Sequence, residues 1–367
     1  MVRRVCLVSG GTGGHLMPAL VLARAVQERG HEALLVTEGR EVEREMLRRE
    51  LQHVDEATLP AAAGRFGLPV WLARATLAAR RMLRDQHVDC VVSTGGRPSL
   101  PVGLAAKSLG VPLFLLEQNA VTGRVNRWLA PLAARIYHGL PTAGPLGARA
   151  LLTGTPLRPQ FGLVDRRRCR DELGLAPTTP VVLVTGGSQG ARTLNETVPR
   201  AISLLRCDVQ VLHLAGPGHD EEVRRAYAAS DAHATAHVRP LATDMDRMFG
   251  AADLVICRGG GTTVAELAAV GRPAIVVPYP HHRDRQQVHN AEVLERAGAA
   301  IVIEESELSA MALADLLRAL LADSERLAAM GTLARGLRTA DPTSTILRDM
   351  GLGEAPGGSP RPAGGEE

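Results

Sequence analysis

The chain has 367 residues, 45% of them apolar and 22% charged, which is typical of a soluble protein with two buried cores. A net charge of +3 is too small to indicate nucleic-acid binding by itself, and 2% aromatic residues argue against the base-stacking platforms used on single-stranded nucleic acid, so no nucleic-acid partner is expected. The five cysteines form no C-x-x-C pair, which argues against a zinc site and is typical of reduced thiols in the cytosol.

Residues Met1–Ser9 have the pattern of a strand that leads into a glycine turn, not of a secretory signal. No stretch reaches the roughly 20 apolar residues that span a bilayer. We therefore expect a cytoplasmic protein that can meet a membrane only from its surface.

Short apolar runs alternate with helical patterns along the first half of the chain. The runs are predicted to form buried strands at Val5–Val8, Ala33–Val36, Cys90–Val92 and Pro112–Leu116. Helices are predicted between them at Pro18–Glu28 and Val70–Arg84. This rhythm is that of a parallel β-α-β sheet.

A second series of the same kind follows a break rich in Pro, Gly and Arg at Thr153–Arg170. Its predicted strands are Val181–Val184, Val209–Leu214, Leu254–Cys257, Ala274–Val277 and Ile301–Ile303. Its predicted helices include Thr263–Ala269 and Gln287–Ala297. Both series open with a strand, a glycine turn and a helix start, so we predict two Rossmann-like α/β domains that face a central cleft.

The predicted domain boundaries follow from these two series. Residues 1–158 form the N-terminal domain, which a C-terminal helix at 340–352 rejoins, and residues 159–339 form the C-terminal domain. Residues 353–367 are rich in Gly and Pro and are predicted to be disordered.

Three strand-to-helix turns are rich in glycine, at residues 10–14, 186–190 and 259–261. Such turns present free backbone N–H groups and the positive end of a helix to an anion, so they predict a phosphate-bearing ligand. A dinucleotide dehydrogenase is the obvious alternative. Its G-x-G-x-x-G/A fingerprint fails at Leu16, although Glu38 ends the second strand where a ribose-binding acid would lie.

Six short motifs together resemble the MurG family of peptidoglycan N-acetylglucosaminyltransferases over nearly the whole chain. They are Gly10–His15, Glu117–Asn119, Gly154–Arg158, Gly186–Arg192 with Asn195, Cys257–Glu266, and Asp284–Gln287 with Asn290. The resemblance implies a GT-B fold and inverting transfer of N-acetylglucosamine from UDP-GlcNAc to lipid I, an undecaprenyl-pyrophosphoryl-MurNAc-pentapeptide. It implies no metal and no cofactor, and work at the cytoplasmic face of the cell membrane.

Matching positions carry the family's donor-binding roles onto this chain. The resemblance implies that Ser188 holds the diphosphate, that Arg158 and Ala242 lie near the uracil, and that Glu266 binds the ribose hydroxyls. It implies that backbone N–H groups face the nucleotide and sugar at Gly261, Thr262, Thr263 and Val264. It implies that amides read the sugar hydroxyls at Gln286 and Gln287.

The N-terminal half would complete the site. The residues that the resemblance implies there are Thr12, Gly13, Gly14 and Asn119. His15 is the candidate general base for the acceptor hydroxyl, with a helix-start residue as the alternative. Glu117 is a second candidate, either as base or acceptor-binding group or as a structural residue.

The sequence departs from the family pattern at three positions. Leu116 stands where the family usually has His, Arg97 follows Gly95-Gly96 where Tyr is usual, and Gly259 precedes Gly260 where Ser or Ala is common. These departures leave open a GT-B transferase with another acceptor. A sugar-nucleotide epimerase and a non-catalytic nucleotide-binding module also stay open.

Two further motifs have competing interpretations. Asp244-Met245-Asp246 has the spacing of a metal-binding D-x-D, but it falls at a predicted helix start, where a capping role is favoured. His281 and His282 are adjacent, a spacing that suits no standard metal site, so a solvated basic loop is favoured.

The segment Leu68–Leu83 is a candidate surface for docking on anionic lipid. One helical face carries Leu68, Leu72, Ala75, Ala79 and Met82. Around it lie Trp71, Arg74, Arg80, Arg81 and Arg84. An apolar patch with an arginine rim suits a membrane surface, and an ordinary amphipathic helix that covers the sheet is the alternative.

Overall fold

The computed structural model describes residues 1–11, 13–40, 43–44, 46–47, 54–60, 67–142, 144–229, 234–282 and 284–354. The chain divides into two compact units. Unit 1 comprises Met1–Leu157 and the segment from Thr339 onward, and unit 2 comprises Arg158–Arg338. In the described ranges, no helix is long and apolar enough to cross a membrane.

Unit 1 is built on a parallel sheet of seven described strands. They are β1 (Arg4–Ser9), β2 (Glu32–Thr37), β3 (Asp55–Thr58), β4 (Cys90–Gly95), β5 (Leu113–Glu117), β6 (Arg135–His138) and β7 (Ala150–Leu152). The helices are α1 (Gly13–Glu28), α2 (Leu68–Asp85), α3 (Ser99–Leu109) and α4 (Arg124–Leu129), with a 3₁₀ turn at Ala130–Leu132. The strand order is β3-β2-β1-β4-β5-β6-β7.

Both faces of this sheet are buried, which explains its continuous apolar strands. In β1, Val5 and Leu7 pack in one hydrophobic cluster, whereas Cys6 and Val8 pack in another on the opposite face. All four side chains are fully buried.

Unit 2 is built on a parallel sheet of six described strands in the order β10-β9-β8-β11-β12-β13. They are β8 (Val181–Thr185), β9 (Val209–Leu214), β10 (Ala234–Arg239), β11 (Leu254–Cys257), β12 (Ala274–Val276) and β13 (Ala300–Val302). A 3₁₀ turn at Pro159–Gly162 precedes helices α5 (Arg166–Leu173), α6 (Arg192–Ser203), α7 (Asp220–Ala228), α8 (Met245–Ala251), α9 (Gly261–Val270), α10 (Gln286–Arg296), α11 (Ala310–Leu321) and α12 (Ser324–Gly336).

The last described helix, α13 (Pro342–Asp349), packs on unit 1. Ile346 and Leu347 are buried in the same cluster as Val5. The hydroxyl of Tyr137 donates a 2.8 Å hydrogen bond to Asp349. The chain therefore returns to its first unit after completing the second.

Each sheet reverses its strand order beside its first strand, between β1 and β4 in unit 1 and between β8 and β11 in unit 2. The predicted class of two parallel α/β domains is confirmed. In open parallel sheets such a reversal leaves a crevice at the carboxyl ends of the strands, where ligands bind. The three glycine turns follow β1, β8 and β11, so they lie at these points.

The apolar strands formed where they were predicted, within a few residues, but four strands were missed. These are β3, β6, β7 and β10, with sequences DEAT, RIYH, ALL and ATAHVR. Three of the four are edge strands. An edge strand buries less surface and carries little of the apolar pattern that a sequence reveals.

The structure corrects the predicted surface of α2. Trp71 was expected among the exposed arginines, but it is buried, and its Nε1 donates a 2.8 Å hydrogen bond to the carbonyl of Pro60. Ala75 and Ala79 are also buried, whereas Leu68 is exposed. The outer face of α2 instead carries Val70, Arg74, Leu77 and Arg81.

Candidate active site

The first glycine turn joins the ends of β1 and β4. The N–H of Gly10 donates a 3.1 Å hydrogen bond to the carbonyl of Gly95. Gly96 has a φ of +90°, and a Cβ on it would lie 2.3 Å from the Gly10 carbonyl oxygen, so only glycine fits there. Gly13 begins α1 and Gly14 is exposed beside it, whereas Thr12 lies outside the described residues.

His15 lies on the first turn of α1, half-buried beside β4 and β5. Its Nδ1 is 3.1 Å from the Oε1 of Gln118, whose Nε2 donates a 3.1 Å hydrogen bond to the carbonyl of Thr94. The imidazole also lies against Gly95. The fold thus brings His15 and the Glu117–Asn119 motif together.

Glu117 is buried, and its carboxylate holds the loop that follows β5. Oε1 accepts hydrogen bonds from the backbone N–H and the Nδ2 of Asn119, at 3.1 and 2.9 Å. Oε2 accepts from the N–H of Gly123 and the Nδ2 of Asn126, at 2.8 and 2.9 Å. With four donors on its two oxygens, this carboxylate has the geometry of a structural group.

In unit 2, the second glycine turn carries Ser188 between β8 and α6. The N–H of Gly190 donates a 2.9 Å hydrogen bond to the carbonyl of Gly187, which closes the turn. Gly190 also packs against the backbone of Ala215. The turn is therefore fixed from β9 as well as from its own strand.

A buried polar network supports this turn from below. The Nδ2 of Asn195 donates a 2.8 Å hydrogen bond to the Ala215 carbonyl, and its Oδ1 is 3.1 Å from the Nε2 of His213. The Nδ1 of His213 is 2.9 Å from the hydroxyl of Tyr227. Burial lowers the pKa of His213 to about 3, so this imidazole stays neutral at ordinary pH.

Arg158 is bound to the segment that contains Ala242. The guanidinium of Arg158 donates a 2.8 Å hydrogen bond to the carbonyl of Thr243, the residue after Ala242. It also lies 3.8 Å from a carboxylate oxygen of Asp246 and over the ring of Phe161. These contacts fix a planar cation beside a half-buried alanine.

The third glycine turn is locked to the start of α10. A Cβ on Gly259 would lie 2.2 Å from the carbonyl oxygen of Gln287, so the two backbones touch. The Nδ2 of Asn290 donates a 2.9 Å hydrogen bond to the Gly259 carbonyl. Gln286 and Gln287 are thereby held next to the turn that opens α9 with Gly261.

Glu266 lies on the same side of α9 as the early residues Thr262 and Thr263, one turn further on. Removal from water raises the pKa of Glu266 to about 8, while Arg158 opposes this rise and Asp246 adds to it. Glu266 is half-buried beside the start of α9, and a carboxyl group there can accept hydrogen bonds from hydroxyl groups. Val264, in the same turn of α9, is buried.

The loop before α10 is aromatic and exposed. His281 and His282 each pack edge-on against Tyr279, with ring centroids 5.2 Å apart, and both are exposed. The backbone N–H of Tyr279 donates a 2.9 Å hydrogen bond to the Oε1 of Gln287. Arg283 lies outside the described residues.

The structure corrects the interpretation of Asp244 and Asp246. Helix α8 does begin at Met245, but Asp244 forms no side-chain capping bond. Asp244 accepts a 3.4 Å hydrogen bond from Arg239, and Asp246 faces Arg158. Among the residues that the structure describes, no group of three or more His, Cys, Asp and Glu could hold a metal ion.

Two side chains of the site have partners that the sequence does not reveal, Gln118 in a motif and His213 in a predicted strand. Gln118 contacts His15, and His213 contacts Asn195. Gln118 is 103 positions from His15 in the chain. An amide directly after a buried strand is the only local signal, and it does not identify so distant a partner.

Comparisons with known proteins identify the family. Residues 5–138 match the model of the glycosyltransferase family 28 N-terminal domain, and residues 181–343 match that of its C-terminal domain. The UDP-N-acetylglucosamine–N-acetylmuramyl-(pentapeptide) pyrophosphoryl-undecaprenol N-acetylglucosamine transferase of Stutzerimonas stutzeri is 39% identical over 354 residues, which cover 95% of this chain and 98% of the relative. This chain belongs to the MurG family within glycosyltransferase family 28.

Solved structures extend the comparison for this family 28 member. The crystal structure of Acinetobacter baumannii MurG superposes with a TM-score of 0.79 and 29% sequence identity. The match covers 95% of this chain and 99% of that one. A UDP-N-acetylglucosamine 2-epimerase shares the fold, with a TM-score of 0.67 at 15% identity over 97% of this chain and 98% of that one. At that identity the epimerase likeness concerns the fold alone.

Two of the three departures from the MurG-family pattern, Leu116 and Arg97, lie in different environments. Leu116 is fully buried in the same hydrophobic cluster as Ile346 and Leu347 of α13, so its side chain is part of the packing. Arg97 is exposed in the turn after Gly96. Of these two departures, only Arg97 is a change at the surface of unit 1.

Proposed function

We propose that this chain catalyses the inverting transfer of N-acetylglucosamine from UDP-GlcNAc to the 4-hydroxyl of MurNAc in lipid I, giving lipid II and UDP in peptidoglycan synthesis. The observation that carries the proposal is the 39% identity, over nearly the whole of both chains, to a relative named for that transfer. The order of the glycine turns and of their supporting side chains agrees with it.

Unit 2 supplies the groups for the donor. Ser188 and its turn offer N–H donors to the diphosphate, and the backbone N–H groups of Gly261–Val264 offer more. Arg158 and Ala242 take the uracil, Glu266 takes the ribose diol, and the amides of Gln286 and Gln287 take the sugar hydroxyls. Negative charge that develops on the departing UDP is stabilised by these fixed N–H groups.

Unit 1 supplies the group for the acceptor. His15 takes the proton from the attacking hydroxyl, so that the C1–O bond to the acceptor forms as the bond to UDP breaks. Asn119, with Thr12, Gly13 and Gly14, contributes to the substrate site. Glu117, whose carboxylate already accepts four hydrogen bonds, holds the Asn119 loop instead of acting as the base.

The acceptor is a lipid, so we propose a peripheral location at the cytoplasmic face of the membrane. The support is the outer face of α2, where Val70 and Leu77 alternate with Arg74 and Arg81, all of them exposed. Apolar side chains between arginines suit an anionic lipid surface.

The test is UDP release from UDP-GlcNAc, measured with and without a short-chain lipid I analogue. Release that requires the analogue and yields a disaccharide product is the expected result. Exposed Arg97 favours one second candidate, a family member with another acceptor. UDP-GlcNAc binding without release in the presence of the analogue would support that candidate and contradict the proposed acceptor. Turnover of UDP-GlcNAc alone, without transfer, would support an epimerase.

A further inference from the structure

The amide of Gln118 has only one orientation that satisfies its neighbours. The Thr94 carbonyl can only accept a hydrogen bond, so the group 3.1 Å from it is the NH₂. The amide oxygen therefore faces His15, 3.1 Å from Nδ1. A flipped amide would set an oxygen against the carbonyl and an NH₂ in the place of the acceptor.

An amide oxygen needs a donor, so Nδ1 of His15 carries the hydrogen. A neutral imidazole has only one N–H, and Nε2 is then left with a lone pair. In the described part of the chain, Nε2 has no hydrogen-bond partner. We propose that Gln118 is a positioning residue that holds His15 in the Nδ1–H form, so that Nε2 is ready to accept the proton of the acceptor hydroxyl. This inference rests on the proposed function.

The backbone of Gln118 is fixed on both sides. Before it, the Glu117 carbonyl accepts a 2.7 Å hydrogen bond from the N–H of Gly139, which directly follows the neighbouring strand β6. After it, the Glu117 carboxylate binds Asn119 and Gly123. Gln118 itself is buried. The amide thus has little freedom to turn away from His15. The buried Glu117 carboxylate contributes to this by holding the loop after Gln118.

The tautomer can be measured without substrate by ¹⁵N–¹H correlation NMR on the chain labelled at histidine, with the His15 signals assigned by His15→Gln. We expect the wild type to show Nδ1 protonated and Nε2 unprotonated at high pH. Gln118→Met, similar in size but without the amide, should lose this preference. Gln210→Met is the matched control. Gln210 is also buried and hydrogen-bonded to backbone groups, those of Ala176 and Thr179, but no histidine is among these partners.

Kinetics supply a second readout that a purely structural role would not change. Gln118→Met should lower kcat about 100-fold while the KM for UDP-GlcNAc stays near the wild-type value. Gln118→Glu keeps an acceptor for Nδ1–H and adds a charge that favours the imidazolium, but its second oxygen faces the Thr94 carbonyl without a hydrogen, so the rescue is only partial. That variant should recover part of the lost kcat and move the acidic limb of the pH–rate profile to higher pH.

An Nε2–H tautomer in the wild type, or an Nδ1–H tautomer that persists in Gln118→Met, would overturn the inference. A change of tautomer with unchanged kcat would overturn the catalytic role of both Gln118 and His15. The expected tautomer in a wild type that releases no UDP with the lipid I analogue would support the positioning by Gln118 and contradict the proposed reaction.

Discussion

Two histidines of this chain are oriented by side-chain amides, and they differ in which nitrogen bears the hydrogen. In each amide the NH₂ donates to a backbone carbonyl, so the amide oxygen faces the imidazole and accepts from it. His15 donates from Nδ1 to Gln118, whereas His213 donates from Nε2 to Asn195. His213 is fully buried, so its second nitrogen accepts from Tyr227. His15 is half-buried, and in the described part of the chain its Nε2 has no hydrogen-bond partner.

Replacement of His15 by Ala tests that role. We expect kcat to fall by about 10² to 10⁴, because the acceptor hydroxyl loses its proton acceptor, while the affinity for UDP changes little. Steady-state kinetics and UDP titration measure the two effects. The exposed His219→Ala is the control and should match the wild type. Unchanged turnover in His15→Ala would remove His15 as the base.

Acid should destabilise the chain through His213. Its pKa falls to about 3 in the folded chain from an ordinary value of 6.5, so below pH 6.5 only the unfolded chain gains the proton. The stabilisation from this residue is therefore complete above pH 6.5 and decreases as the pH falls, by about 2 kcal/mol at about pH 5. Urea unfolding at several pH values should show a smaller decrease for His213→Gln. An exposed control, His219→Gln, should keep the wild-type decrease.

At the scale of elements, the groups proposed to bind UDP-GlcNAc are positioned by the first residues of α9 and α10. Gly259 touches the backbone of Gln287, and Asn290 bonds the Gly259 carbonyl. The two helix starts are thereby fixed to each other, with the N–H groups of α9 beside the amides of α10. In this chain the contact requires glycine at position 259. It does not explain why the family commonly has Ser or Ala there, because both of those residues carry a Cβ.

Adjacent glycines in that turn offer a matched pair of variants. A Cβ on Gly259 would press on Gln287, whereas the nearest atom to a Cβ on Gly260, Oγ1 of Thr263, is 3.5 Å away. We expect Gly259→Ala to displace the start of α10 and raise the KM for UDP-GlcNAc at least about 10-fold. Gly260→Ala should stay near the wild type. Equal KM values for the two variants would contradict the proposed coupling.

At the scale of the molecule, unit 1 differs from unit 2 in its proposed contact with lipid. Vesicles of phosphatidylglycerol test the outer face of α2. Reversal of two charges, Arg74→Glu with Arg81→Glu, should weaken binding by at least about 10-fold, since each arginine near an anionic surface contributes about 1 kcal/mol. The control Arg200→Glu with Arg326→Glu makes the same change in net charge on unit 2, where both arginines are exposed. Equal loss in both pairs would mean general attraction instead of docking by α2.

The sequence by itself determined the two parallel α/β units, because continuous apolar strands and glycine turns are local features that survive without knowledge of contacts. It also determined the family, because six motifs keep their order along the chain. The sequence did not predict the polar edge strands such as β3 and β10, because these segments become strands by pairing with a neighbour and not through their own composition.

Only the tertiary structure decided what the polar side chains do. Glu117 and Gln118 are neighbours in one motif, yet one is consumed by four local donors and the other reaches across to His15. Trp71 and Asp244 likewise bind partners that no local pattern specifies. A hydrogen bond depends on the position of both groups to within a few tenths of an ångström, and that position is set by the packing of distant elements.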